Sequence, residues 1–154
     1  MGSCNVLPDL EQFVQRLHLN IARPEHDLLA PGSTWNLSQT VQHCAQTVRY
    51  SVTGYPVLKP AWYRATIGRL AKLVFLRRGA MKHPLGAEIE GAPALDPGLP
   101  VSDAAADLAD AVALFTGHTA GHATHPAYGH CTHDEFAQLH AMHLADHLPG
   151  VATN

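Results

Sequence analysis

Apolar residues recur at helical spacing along most of the chain. Leu10, Phe13, Val14 and Leu17 follow an i, i+3, i+4, i+7 pattern, which predicts a short amphipathic helix over about 9–20. A turn-rich stretch follows around Pro24 and Pro31-Gly32. Leu37, Val41, Cys44, Ala45, Val48 and Val52 mark one stripe of a second helix, about 36–53. Asn36 and Gln39 are spaced to form its capping box, and Gly54 and Pro56 end it. Tyr63, Ile67, Leu70 and Val74 mark a third helix, about 60–78, with Pro60 near its first turn and Gly79 past its end.

Residues 79–101 are dense in proline and glycine, a long connection for a single domain and therefore a functional loop or a crossover. Ser102 is placed to cap a fourth helix, about 102–116, with Ala105, Leu108, Val112 and Phe115 as its core stripe. Asp103, Asp107 and Asp110 share the opposite side, which reads as a solvated acidic face rather than acid–base machinery. A loop rich in glycine and histidine covers 117–131. Thr132-His133-Asp134-Glu135 is a capping box for a last helix, about 133–148, closed by Pro149-Gly150. No strand-like alternation and no internal repeat occurs, so the class is all-α. Four or five helices with one long connection suggest a bundle with a crossover.

The length of 154 residues fits one domain spanning 1–154, and 46% apolar residues can bury a core without disulfide staples. No apolar run is long enough to cross a membrane. A net charge of −3 excludes a globally basic nucleic-acid binder. Cys4, Cys44 and Cys131 are odd in number and widely spaced, which points to a reducing compartment rather than a disulfide framework. The N-terminus lacks the basic and apolar regions of a signal peptide, so a cytoplasmic location is expected. Met1-Gly2-Ser3-Cys4 resembles a lipidation start, but Val6 stands where a myristoylation motif needs Ser or Thr. The unusual component is histidine: twelve, more than the ten lysines and arginines combined.

Three of these histidines lie on the last helix. His140, His143 and His147 fall within about 60° of arc together with Phe136. His143 and His147, at i, i+4, project side by side, so two imidazoles can reach one divalent ion. The Glu that follows the first His in helical HExxH proteases is Leu144 here, which removes the zincin reading. The face is flanked by Leu139, Leu144 and Leu148 and should look into the bundle, where three uncompensated imidazoles would be costly. A metal ion or a wet cavity resolves that cost. His43 lies nearly opposite the Leu37/Val41/Val48 stripe, so periodicity alone makes it either solvent-facing or part of a polar face lining a cavity.

Two stretches, Trp35 to His43 with Gly54-Tyr55-Pro56, and His125-Pro126-Ala127-Tyr128-Gly129 with Glu135-Phe136 and Leu139 to Leu148, resemble the DinB/YfiT-like metalloenzymes, in a subgroup of unknown function. The resemblance spans roughly Trp35 to Leu148. It implies a four-helix bundle of DinB-like type with a long crossover carrying an extra helix, the segment 60–78. It also implies that His43, His143 and His147 hold one divalent metal ion, with His43 pointing inward. Members often carry a second His before the last ligand; here that position is Asp146, which lies off the histidine face and reads as solvated. The implied function is a bacterial metal-dependent enzyme whose mononuclear site activates a thiol or water, as in an S-transferase or a hydrolase. The alternative is a non-catalytic metal-binding or stress-related protein. His140 would orient a ligand or relay a proton from behind the first ring of ligands, or simply cap the cavity by a hydrogen bond. All-imidazole ligation suits zinc or nickel first, and also iron or copper. The expected partners are a small-molecule substrate with a low-molecular-weight thiol; no nucleic acid and no membrane span is expected, and a homodimer stays open.

His125 reads as a loop-shaping residue, and His118, His122, His130 and His133 as exposed. Residues 59–82 hold seven of the ten basic side chains and no Asp or Glu. A basic amphipathic helix can face anions, membranes or nucleic acid. The simpler expectation is that it lies in solvent or against the acidic 88–110 segment.

Overall fold

A computed structural model describes residues 8–153, so Cys4 and the Met1–Val6 opening lie outside the described residues. The described chain is all-helical, without a strand. Its elements are α1 (Leu10–Asn20), α2 (Glu25–Leu28), α3 (Leu37–Thr53), α4 (Ala61–Ala65), α5 (Ile67–Arg78), α6 (Val101–Gly117), α7 (His133–His147) and α8 (Pro149–Ala152). Among the described residues, no helix is long and apolar enough to cross a membrane.

Side-chain caps start three of the long helices. Asp9 with Gln12, Asn36 with Gln39 and Thr132 with Glu135 each satisfy two backbone N–H groups reciprocally. The helix α6 departs from this pattern. Pro100, with φ fixed at −55°, supplies the first carbonyl, so the helix starts at Val101 and Ser102 does not cap it. Helix α7 ends at His147 rather than running into Pro149; Leu148 turns out of helical geometry, and Pro149 instead opens the short α8.

Helices α3 and α6 pack along each other most extensively, with α1 on α6 and α7 against both α1 and α3. Their apolar faces merge into one core through Phe13, Leu17, Val41, Val48, Leu108, Phe115, Phe136 and Leu144. Arg49 on α3 grips Asp107 on α6 through Nη2–Oδ1 at 2.7 Å and Nη1–Oδ2 at 3.2 Å, so one acid of the expected solvated face is paired. At the far end, a Cβ on Gly150 would lie 1.9 Å from the Asp27 carbonyl oxygen, so only glycine lets α8 seat against α2.

The segment expected as one helix over 60–78 is two. Thr66 leaves helical geometry at φ −119°, ψ −91°, separating α4 from α5. Its periodic apolar stripe also faces the other way from a core stripe. Ile67, Leu70 and Val74 are 52%, 64% and 37% exposed, and α5 instead buries Gly68 and Lys72. A Cβ at Gly68 would lie 1.7 Å from the Ala127 carbonyl oxygen, so this glycine sets how closely α5 approaches the 125–129 turn. Lys72 binds the His130 carbonyl at 2.9 Å and Glu135 at 3.0 Å, fastening α5 to the start of α7. The basic segment does not lie against 88–110 through ion pairs: among the described residues, Lys72 alone of its seven cations makes one.

Candidate metal centre

The i, i+4 spacing on α7 sets His143 and His147 side by side, with ring centroids 4.7 Å apart. The backbone of His147 is pinned where α7 ends, its carbonyl accepting from Ala30 N at 3.0 Å. His43 reaches them from α3. It is 4% exposed, against the solvent-facing option left open by periodicity. The reason is that α3 is enclosed on nearly all sides: Ser38, Thr40, His43 and Ser51 are buried along with the apolar stripe. Its polar face lines the interior. His43 Nε2 approaches His143 Nε2 to 3.3 Å.

A fourth imidazole joins them that no helical period could flag. His83 comes from the irregular connection between α5 and α6, and its Nε2 lies 2.8 Å from His147 Nε2. One ring nitrogen from each of His43, His83, His143 and His147 lies within 4.8 Å of the others, a group that could hold a metal ion. Asp146 positions the newcomer. Its Oδ2 accepts the His83 backbone N–H at 3.2 Å and lies 2.7 Å from His83 Nδ1, a close charge contact off the ring's N–H axis. Asp146 is therefore not solvated as expected. It stands off the histidine face of α7, and that offset lets it reach the loop. Trp35 walls the cluster, its ring centroid 4.9 Å from that of His43 and 6.0 Å from that of His147.

Burial and mutual repulsion keep these rings neutral. Burial, then repulsion from His83, lowers His43 to about 4. Burial, then His43 and His83, lowers His147 to about 3. His143 is pushed well down by burial and by all four neighbouring rings. For His83 burial also lowers the value, with Asp146 opposing it. A neutral imidazole has one lone-pair nitrogen, so at neutral pH four donors converge without protons to displace.

A cavity of about 170 Å³ adjoins the cluster. His43, His83, His143 and His140 border it on one side, and Met81, Ile89, Phe136 and Leu139 give it an apolar lining. His140 is buried between Phe136 and Phe115, and its Nε2 has no hydrogen-bond partner in the protein. It stands outside the group of four. Burial, then His125 and His122, lowers it to about 3. Three other polar groups on the wall are committed. Tyr55 donates to the Thr47 carbonyl at 3.0 Å, and Thr47 Oγ1 donates to the His43 carbonyl at 3.0 Å. His125 Nδ1 accepts from the N–H groups of Ala127 and Tyr128 at 3.1 and 3.0 Å, so it shapes the turn entering α7 as expected. Burial drives the Cys44 and Cys131 thiols up to about 12 and about 11, which leaves neither as a nucleophile at neutral pH.

The remaining loop histidines are less exposed than expected. His122 Nε2 and His133 Nδ1 share a hydrogen bond at 2.9 Å, His133 stacks on Phe115, and only His130 is fully solvent-facing.

No curated protein and no solved structure matches the chain. The sequence model of one family covers residues 9–154, all the helices described above, and the chain belongs to that family, the proteins of unknown function designated DUF1569.

Proposed function

We propose that His43, His143 and His147, with His83 as a fourth donor, hold one divalent transition-metal ion, and that the site serves a metal-dependent reaction on a small molecule seated in the adjoining cavity. The observation that carries this reading is the convergence of four neutral imidazoles from three separate segments on one point. The donor chemistry fits. The 3.3 Å between His43 and His143 Nε2 equals the edge of a tetrahedron with metal–nitrogen bonds of about 2.05 Å. Imidazole nitrogen suits zinc or nickel, with iron and copper as further choices. A carboxylate holding a ligand histidine, as Asp146 holds His83, is the usual support of such sites.

A bound ion would supply Lewis acidity, lowering the pKa of a water or thiol beside it. The chain supplies the rest. Its cavity wall holds no thiol and offers no nucleophile of its own, since the hydroxyls of Tyr55 and Thr47 are committed and burial holds the Tyr128 phenol protonated. The nucleophile must therefore enter with the guest, as water or as a low-molecular-weight thiol. Of the four histidines on the wall with an unpartnered ring nitrogen, His140 alone stands outside the ligand group, so it is the one left to orient the guest by a hydrogen bond. The arrangement of α1, α3, α6 and α7, with α4 and α5 in the 54–100 connection, supports reading the fold as a DinB-like four-helix bundle with a crossover.

A second reading, a non-catalytic metal binder, is favoured by His83, because a fourth imidazole can complete a closed tetrahedron. Cobalt loading tests both. The chain should bind about one cobalt ion per molecule, and His147→Ala should weaken binding on the order of a thousandfold. Adding 2-mercaptoethanol should then produce a sulfur-to-cobalt charge-transfer band. Stoichiometric binding without that band selects the closed, non-catalytic site. Unchanged cobalt content in His147→Ala overturns the site itself.

A further inference from the structure

The arm formed by α4 and α5 carries an apolar ridge that the protein itself leaves uncovered. Of the nine large apolar side chains exposed among the described residues, seven lie between Val57 and Val74. Trp62 and Leu70 are each 64% exposed, Ile67 52%, and Leu73 43%. On α5, Leu73, Leu70, Val74 and Ile67 span about 120° of the solvent side, with Arg69 at one margin, Arg78 at the other and Arg77 within the arc in the last turn. Arg69, Arg77, Arg78 and Lys82 make no ion pair. An exposed apolar ridge whose only charged neighbours on the helix are cations is the pattern of a helix that lies in the plane of a membrane interface.

We propose that the α4–α5 arm docks the protein on an anionic lipid surface, with Trp62 and the Leu70/Leu73 ridge in the headgroup region and the flanking arginines on lipid phosphates. The charge pattern selects this occupant. A two-fold contact with a second copy would set the cations of one face against those of the other, and residues 59–82 provide no carboxylate to offset them. Beside the ridge, Arg64 and Arg69 border an open cleft of about 400 Å³ and make it a cationic recess for a headgroup, the Lys72 charge on its wall being already paired with Glu135. The proposal is independent of the metal site.

Vesicle flotation of the full chain tests it. The protein should float with phosphatidylcholine vesicles containing roughly 30 mol% phosphatidylglycerol and not with pure phosphatidylcholine. The Leu70→Glu/Leu73→Glu pair should lower the partition coefficient about tenfold with an unchanged circular dichroism melt. Arg69→Ala/Arg77→Ala/Arg78→Ala should also lower it while preserving the ridge. Equal flotation with both vesicle types overturns the proposal, as does binding indifferent to the leucine pair. A dimer in sedimentation that the leucine pair splits, without vesicle binding, assigns the ridge to self-association instead.

Discussion

The histidine cluster and the α4–α5 arm invert the ordinary rule in opposite directions. In the first, polar rings on α3 and α7 turn into the interior, and His43 and His147 are almost wholly buried. In the second, leucines on α5 turn out to water, while a lysine and a glycine take the inner positions. Both segments have helical periodicity. Period establishes that one face differs from the other; it does not say which face meets water. What decides is the surroundings. Helix α3 is enclosed by neighbours, so its second face must also be buried. Helix α5 is held along one side, by Gly68 against Ala127, by Lys72 against Glu135 and by Phe75 and Leu76 against the core.

The largest effect expected from this contrast is acid sensitivity centred on the buried rings and absent from the arm. Burial, then Lys72, lowers His125 to about 3, and protonating its Nδ1 would also cost the two backbone N–H bonds it accepts. His140 lies at about 3 as well. Between the ordinary value near 6.5 and these values, the unfolded chain takes up protons that the folded chain refuses. Stability is therefore full above about pH 6.5 and falls as pH drops toward 3. Each of these two rings should cost roughly 2 kcal/mol by pH 5. Urea titration of chelator-treated protein should show the loss, and His125→Gln should reduce the slope of stability against pH. A flat profile between pH 7 and 5 would show that these rings are more solvated than their burial implies.

The next effect is smaller and separates the loop ligand from the helix ligands. Asp146→Asn removes the carboxylate charge beside His83 while keeping its size. Metal affinity should fall about 10- to 100-fold, by analogy with other carboxylate–histidine supports. The folding free energy without metal should change by less than about 1 kcal/mol. Competition with a metallochromic chelator reads the first and urea titration the second. If affinity is unchanged, His83 does not reach the ion, and the helix rings hold it alone.

His83 also marks where the sequence stops being readable. His43, His143 and His147 could be picked out because motif order and i, i+4 spacing single them out, and all three meet. The capping boxes at Asn36 and Thr132 were equally legible, since a cap is a local interaction between residues three apart. His83 sits in a proline- and glycine-rich connection with no period, and its placement depends on Asp146, 63 residues away. A lone histidine between Lys82 and Pro84 carries no pattern that could mark it. The break at Thr66 was hidden for a similar reason: no proline or glycine stands at that position to mark it, and the close approach of Gly68 to Ala127 just beyond it is a contact between distant parts of the chain.

The smallest expected effect is that of a change at Leu70, and set beside the same residue type at 108 it gives the sharpest contrast between the two regions. Leu108 on α6 is fully buried in the core, and Leu70 on α5 is 64% exposed. Leu108→Ala removes packed methyl groups and leaves a cavity, so it should cost about 2–5 kcal/mol. Leu70→Ser exchanges one solvated side chain for another and should stay within about 0.5 kcal/mol of the parent. The same pattern of spacing thus gives two unlike answers, and urea titration of the two variants measures the difference directly. A loss of more than about 2 kcal/mol in monomeric Leu70→Ser would mean that the ridge is covered by the chain itself, and the membrane proposal would lose the free surface on which it depends.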